Sequence, residues 1–288
     1  MPNPTTPSTD TRPIVFLSVP SWDRGEHPWH ATSVRNISAR GKVHIVTTNH
    51  AQGDFLLRAR NRHLYQFLHF MELMPGLTPR APDFFFCIGS DIDFNDYFER
   101  IVFRNLPIVA GLYPVKDPNP PDVPPRWCIN TLDGKTPDAT GMMEIAAGGT
   151  DFICYRRDAL ETMIKSPLVA QYADDFVNGD KSRPHTHLFN FAVVNSDITH
   201  LPLGSKFEPL INPDWRKNRL LSEDYFASFV ARTCGIPIMC DTTGYVGHWD
   251  GRTRYPTNPP PGLKLPSGPT SLTIGRNATV TPEDGAAQ

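Results

Sequence analysis

Apolar runs and helical spacings alternate along the first third of the chain. The run PIVFLSV (13–19) is β-branched and aromatic, is bounded by prolines, and predicts a buried strand. Weak helical spacing follows over 28–40, and VHIVTT (43–48) predicts a second strand. From Asp54 to Met74 the residues Leu56, Leu57, Leu64, Phe67, Leu68 and Met71 recur at helical spacing, and Pro75 predicts the stop. DFFFCIG (83–89) predicts a third strand, apolar on both faces. Strands that are apolar throughout and separated by helices predict a parallel sheet covered on both sides.

The second half is less regular. PIVAGLYPV (107–115), MMEIAAGG (142–149), DFICYRR (151–157), LFNFAVV (188–194) and IPIMC (236–240) predict strands. Helices are predicted over about 158–165 and over 222–235, and KDPNPPDVPPR (116–126) reads as a proline-heavy loop. No internal repeat is present. The pattern predicts one α/β domain over 13–254, with a mostly parallel central sheet and a mixed C-terminal half. The flanks 1–12 and 255–288 are rich in Pro, Thr, Ser and Gly and predict extended or disordered tails.

Composition narrows the function classes. A net charge of -2 over 288 residues supplies no overall basic field for nucleic acid or membrane. The five cysteines Cys87, Cys128, Cys154, Cys234 and Cys240 show no zinc or redox spacing. No N-terminal signal segment and no bilayer-length apolar run is visible, which predicts a cytoplasmic protein. The histidines of HTH (185–187) lack a third ligand at zinc spacing and read as a surface feature.

The chemistry concentrates at FFFCIGSDIDF (84–94). Open parallel sheets place ligands at the carboxyl ends of their strands, and Asp91 and Asp93 fall where the third strand stops. Residues two apart on an extended segment point the same way, so both carboxylates are expected to face one crevice. Hard oxygen donors at that spacing suit Mg²⁺ or Mn²⁺. The structural alternative is a turn begun by Asp91 and a helix cap supplied by Asp93.

With three further segments, this stretch resembles the GT-A glycosyltransferases, compact viral or bacterial members in particular. FLSVPSWD (16–23) is similar to their first strand and nucleotide loop, and GGTDFICYRRDAL (148–160) to their glycine-led strand beneath the donor sugar. LSEDYFASFVARTCGIPIMCDTTGYVGHWD (221–250) is similar to their x-E-D helix, following strand and late histidine. The resemblance spans roughly 13–250 and implies a Rossmann-like GT-A fold that binds a nucleotide sugar, a UDP-sugar in the first instance, with Mn²⁺ or Mg²⁺.

The same resemblance implies roles. Asp93 would bind the metal directly, Asp91 the ribose or a metal-bound water, and His248 would be the late ligand. Asp224 would be the base that takes the acceptor's proton, beside Glu223; the alternative is a first helical turn complementing the dipole behind a Ser222 cap. Pro20, Trp22 and Asp23 would meet the nucleoside, Arg58 or Arg60 the diphosphate, and Gly148 and Gly149 the donor sugar. Each has a plain structural alternative: a turn, a solvated helix face, a bulge.

The acceptor is an open hydroxyl compound, a glycan or a hydroxymethylated DNA base. The latter rests on the basic stretch NPDWRKNR (212–219) around Trp215. Two rival classes remain at this point. One is nucleotidyl transfer from an NTP with Mg²⁺, which usually opens with a glycine-rich basic loop that SVPSWDRGEH lacks. The other is a carbohydrate- or nucleic-acid-binding module without catalysis.

Overall fold

The computed structural model describes residues 10–20, 27–48, 56–117, 125–172, 184–195, 214, 217–250 and 252–256. The front half runs β1 (Ile14–Ser18), α1 (Pro28–Arg40), β2 (His44–Thr48), α2 (Leu56–Leu68), α3 (Phe70–Leu73) and β3 (Phe84–Ile88). Next come β4 (Ile92–Asp93), α4 (Asp96–Phe103), β5 (Ile108–Leu112), β6 (Ile129–Thr131), β7 (Met142–Gly148), β8 (Phe152–Arg156) and α5 (Arg157–Met163). The chain continues through β9 (Gln171–Tyr172), β10 (His185–Thr186), β11 (Ala192–Asn195), β12 (Asn218–Leu221) and α6 (Glu223–Thr233). It closes with β13 (Ile238–Tyr245), β14 (Gly247–Asp250) and β15 (Thr253–Tyr255).

The central sheet has eight strands in the order β2-β1-β3-β8-β5-β13-β7-β6. β8 runs antiparallel to both β3 and β5, and β7 antiparallel to both β13 and β6; the other strands share one direction. The architecture is a mixed α/β, Rossmann-like layer structure. Because β8 is reversed, it begins at the edge where β1, β3, β5 and β13 end. That edge collects residues from five segments far apart in sequence.

Both faces of the sheet are covered, as continuous apolar strands require. Alternate residues divide between two cores. Phe16, Phe85 and Cys87 pack with Phe67 and Phe70, in the same core as Leu160 and Phe229 of α5 and α6. Leu17, Phe86 and Ile88 belong to the opposite core with Ile37 of α1 and Phe98 of α4. Phe16 stacks on Phe85 at 5.8 Å and Phe86 on Phe98 at 4.5 Å. Burying each such ring contributes about 2–3 kcal/mol. The aromatic run before the aspartates thus serves both cores at once and makes β3 a stiff support for the turn that follows it.

Two expectations change. LFNFAVV was predicted as one strand, but β11 starts only at Ala192. Phe189 is instead a buried tether: its N–H donates to Asn61 Oδ1 (3.0 Å) and its carbonyl accepts from Asn61 Nδ2 (2.8 Å). His185 is not a surface residue; it is 3% exposed and stacks on Tyr65 at 4.1 Å. At the C-terminal side of the described residues, β15 runs through Tyr255, which is buried. Among the described residues no helix is long and apolar enough to cross a membrane.

The Asn61 tether yields a stability prediction. Asn61→Ala leaves a buried N–H and C=O of Phe189 without partners, and each such group costs roughly 1–3 kcal/mol. Urea unfolding should show a loss of about 2–4 kcal/mol. A loss below about 0.5 kcal/mol would mean that the tether contributes little.

Candidate functional site

The carboxyl edge of the sheet gathers the turn after β3, the segment after β5, the start of β8, the N-terminus of α6 and β14. The turn after β3 is closed by Ile92 N–H donating to the Gly89 carbonyl (3.1 Å) and by Gly89 N–H donating to Asp151 O (3.1 Å). α1 fastens the strand that follows: His30 Nδ1 meets the Ile92 carbonyl at 3.0 Å, and Phe94 N–H donates to Ser33 Oγ at 2.9 Å. The helix cap next to Asp93 comes from Asn95, which accepts from Tyr97 N–H.

Asp91 stands beside two cationic or potentially cationic groups. Its Oδ2 is ion-paired with Lys116, and its Oδ1 lies 3.6 Å from His248 Nε2. Burial opposes the charge on Asp91, but the His248 and Lys116 contacts outweigh it and hold the carboxyl well below its usual range. His248 is buried, with Nδ1 2.8 Å from the Pro114 carbonyl. A carbonyl only accepts, so the ring carries a proton on Nδ1, and Nε2 is the atom that faces Asp91. Tyr113 packs edge-on against the imidazole at 5.6 Å.

Asp93 is held elsewhere. Arg254 grips it with two bonds, Nε to Oδ2 at 2.6 Å and an Nη to Oδ1 at 3.0 Å. Trp249 Nε1 donates to Oδ2 at 3.0 Å and Gly247 N–H to Oδ1 at 2.8 Å. Burial again raises the acid, yet Arg254, Trp249 and Gly247 together bring it below its usual range. Asp93 lies opposite Gly247 in the ladder, so the two share a face; His248, one residue on, projects to the other face. The structure therefore brings Asp91 to His248 but does not bring Asp93 to either. Among the described residues no group of three or more His, Cys, Asp or Glu side chains is placed to hold one metal ion.

A second charged assembly lies beneath the same edge. Arg60 is 1% exposed and bonds Asp151 Oδ1 and Glu223 Oε1, each at 2.8 Å. Burial disfavours its charge, but the surrounding acidic groups, Asp151 foremost, more than offset this. Arg60 is thus committed to two acidic partners rather than presented to a phosphate. Asp151 is one-third exposed at its side chain, and its Cγ and Asp91 Oδ1 both flank the space over Gly89.

Asp224 follows Glu223 in the first turn of α6. Ser222 supplies no side-chain cap to the helix; its hydroxyl donates to Asp224 instead. Burial raises the Asp224 carboxyl to about 6; the Ser222 bond opposes this and the neighbouring Glu223 charge adds to it. Adjacent carboxylates therefore differ: Glu223 is locked in an ion pair and Asp224 titrates near neutrality.

The glycines are used internally. A Cβ on Gly148 would press on Ala110 Cβ, and one on Gly149 would collide with the Tyr113 hydroxyl. The space where a side chain would stand at Gly148 and Gly149 is filled by protein, so close packing accounts for both glycines. Pro20 is buried at the end of the β1 segment, and Arg58 sits partly exposed at the start of α2. Trp22, Asp23 and Trp215 lie outside the described residues.

Sequence reasoning missed Lys116, Asp151 and Arg254. Lys116 opens what read only as a proline loop. Asp151 stands two residues after the glycine pair, a signal that was present. Arg254 gave no signal, because its partner is 161 residues away.

No family model matches the chain, and no curated protein does. Among solved structures it is similar to protein A197 of STIV at 12% identity and a TM-score of 0.41, covering 83% of this chain and 86% of that one. It is also similar to a glycosyltransferase involved in glycosylation of the major capsid of PBCV-1, at 11% identity and a TM-score of 0.28, over 52% of this chain and 62% of that one. A Bacillus anthracis protein described as a glucose-1-phosphate thymidylyltransferase follows at 12% identity and a TM-score of 0.26, over 54% and 75%. At these scores the likenesses assign no residue a role.

Proposed function

We propose that the protein is a GT-A-type glycosyltransferase that moves a sugar from a nucleoside diphosphate donor, a UDP-sugar, to a hydroxyl acceptor with Mn²⁺ or Mg²⁺. The observation that carries this is the Asp91–His248 pair at the carboxyl edge of the sheet, with the imidazole oriented by Pro114. A carboxylate oxygen beside an imidazole nitrogen suits Mn²⁺, and a cation with few protein ligands completes its shell with water and phosphate oxygens. When bound there, the ion would neutralise charge on the departing diphosphate.

The chain's own groups supply the rest. Lys116 adds a positive charge at the same edge. Arg60 holds Asp151 and Glu223 in place, leaving the second oxygen of Asp151 available to donor hydroxyls. Asp224, ionised above about pH 6, accepts the proton of the acceptor hydroxyl as its oxygen attacks the anomeric carbon. The bond from that carbon to the diphosphate oxygen breaks, the nucleoside diphosphate leaves with the electron pair, and the configuration inverts.

A screen of UDP- and GDP-sugars with Mn²⁺, scoring released nucleoside diphosphate, tests the reading. Turnover should require the cation and fall at least about a hundredfold in Asp91→Asn, a loss of roughly 3 kcal/mol of transition-state stabilisation. Release of pyrophosphate from an NTP would assign nucleotidyl transfer instead. Ligand binding indifferent to EDTA and no turnover of any donor would leave a binding module.

Asp224 makes a second, separable prediction. Its folded pKa lies above its ordinary 3.8, so its contribution to stability is fully present below about pH 4 and is lost as pH rises through about 6. Asp224→Asn should therefore raise stability at pH 7 by about 2 kcal/mol, allowing for partial exposure. The same variant should lower transfer by roughly 10²–10⁴-fold. In the parent, transfer should climb with pH through about 6. Unchanged transfer in Asp224→Asn would remove the base assignment.

A further inference from the structure

The three-stranded sheet β15-β14-β4 places Arg254 on one outer strand and Asp93 on the other, with Gly247 between them. The Arg254 side chain crosses the middle strand at Gly247, where a Cβ would collide with both Arg254 Nε and Asp93 Oδ1. The glycine is what allows the ion pair to span β14. Both carboxylate oxygens of Asp93 are engaged, each by two donors, and all three donor residues belong to the β14–β15 hairpin. The hairpin carries His248 on its opposite face, against Pro114 and Asp91.

We propose that Asp93 is a positioning residue: it anchors the β14–β15 hairpin through Arg254, Trp249 and Gly247 and so holds His248 against Asp91, and it does not ligate the cation. The inference rests on the proposed metal site and divides the labour of the D-x-D pair. Asp91 faces the cation. Asp93 fixes the strand that delivers the second ligand. Moving Asp93 onto the cation would strip four hydrogen bonds from a half-buried carboxylate and leave Arg254 without this partner. The separation of faces is a consequence of strand alternation and does not depend on rotamer choice.

The test uses the full chain, Mn²⁺ and UDP, with Asp91→Asn, Asp93→Asn, Arg254→Gln and the Asp93→Asn/Arg254→Gln double variant. Mn²⁺ binding is read by electron paramagnetic resonance, the anchor by melting temperature, and the His248 tautomer by long-range proton–nitrogen NMR. Asp91→Asn should lose Mn²⁺ binding with little change in melting. Asp93→Asn and Arg254→Gln should each weaken Mn²⁺ roughly tenfold, as loss of an orienting partner does. They should also lower the melting temperature and blur the His248 tautomer signal, and the double variant should be no worse than either single one.

Loss of Mn²⁺ binding in Asp93→Asn, with unchanged or tighter binding in Arg254→Gln, would show that Asp93 is a ligand and overturn the proposal. Where Asp93→Asn does not fold, Trp249→Phe removes one of the four bonds and is read in the same way. If the parent protein binds no Mn²⁺, the metal reading has failed by itself. The anchor is then judged by melting and tautomer alone, and additive melting shifts or an undisturbed His248 signal would overturn it.

Discussion

A guanidinium sealed from water must be surrounded by negative charge, and Arg60 imposes that constraint on the whole carboxyl edge. Its partners come from the start of β8 and the first turn of α6, while Arg60 itself belongs to α2. Removing either carboxylate would leave buried guanidinium N–H groups without that acceptor, which costs more than the bond itself contributes. The three elements therefore keep one relative arrangement. Asp151 and Glu223 are fixed by that arrangement, and Asp224 inherits its place from Glu223.

The outer side of the edge is organised by a different rule. Antiparallel pairing puts Asp93 opposite Gly247 and sends His248 to the other face. Asp91 escapes the alternation because it lies in the turn, before β4 begins. That is why one aspartate of the pair meets the imidazole and the other does not. The i, i+2 rule holds only along a continuous extended segment, and the strand here is two residues long.

The front half of the fold was legible because its strands are apolar on both faces and its helices have one period. PIVFLSV, VHIVTT and DFFFCIG correspond to β1, β2 and β3, with α1 and α2 between them. The residues 188–191 misled because a buried apolar pair such as Leu188 and Phe189 looks alike whether a ladder or a side chain satisfies its backbone. At Phe189 the partner is Asn61, which no local pattern announces. Asp91, His248 and Asp224 were nameable from motif order, whereas their partners Lys116, Pro114 and Ser222 were visible only in three dimensions. Arg60 shows the limit most clearly. An arginine near a helix start reads as a solvated or phosphate-facing group, and its burial depends on carboxylates 91 and 163 residues away.

The contrast within α6 carries the functional argument furthest. Glu223 and Asp224 share a helix turn and the same favourable dipole, so neither position alone separates them. Burial and pairing do. Glu223 is paired with Arg60, while Asp224 is buried, with the Ser222 hydroxyl and the Tyr225 N–H as its hydrogen-bond donors among the described residues and the Arg60 charge only partly offsetting the burial. Its proton affinity rises to about 6 as a result. The Glu223 oxygen that Arg60 holds is not free to accept an acceptor hydroxyl's proton. A carboxylate that is destabilised by burial, yet still ionised at neutral pH, is suited to it. On the proposed reading, the pairing of the first acid to Arg60 is what sets the second one free to act.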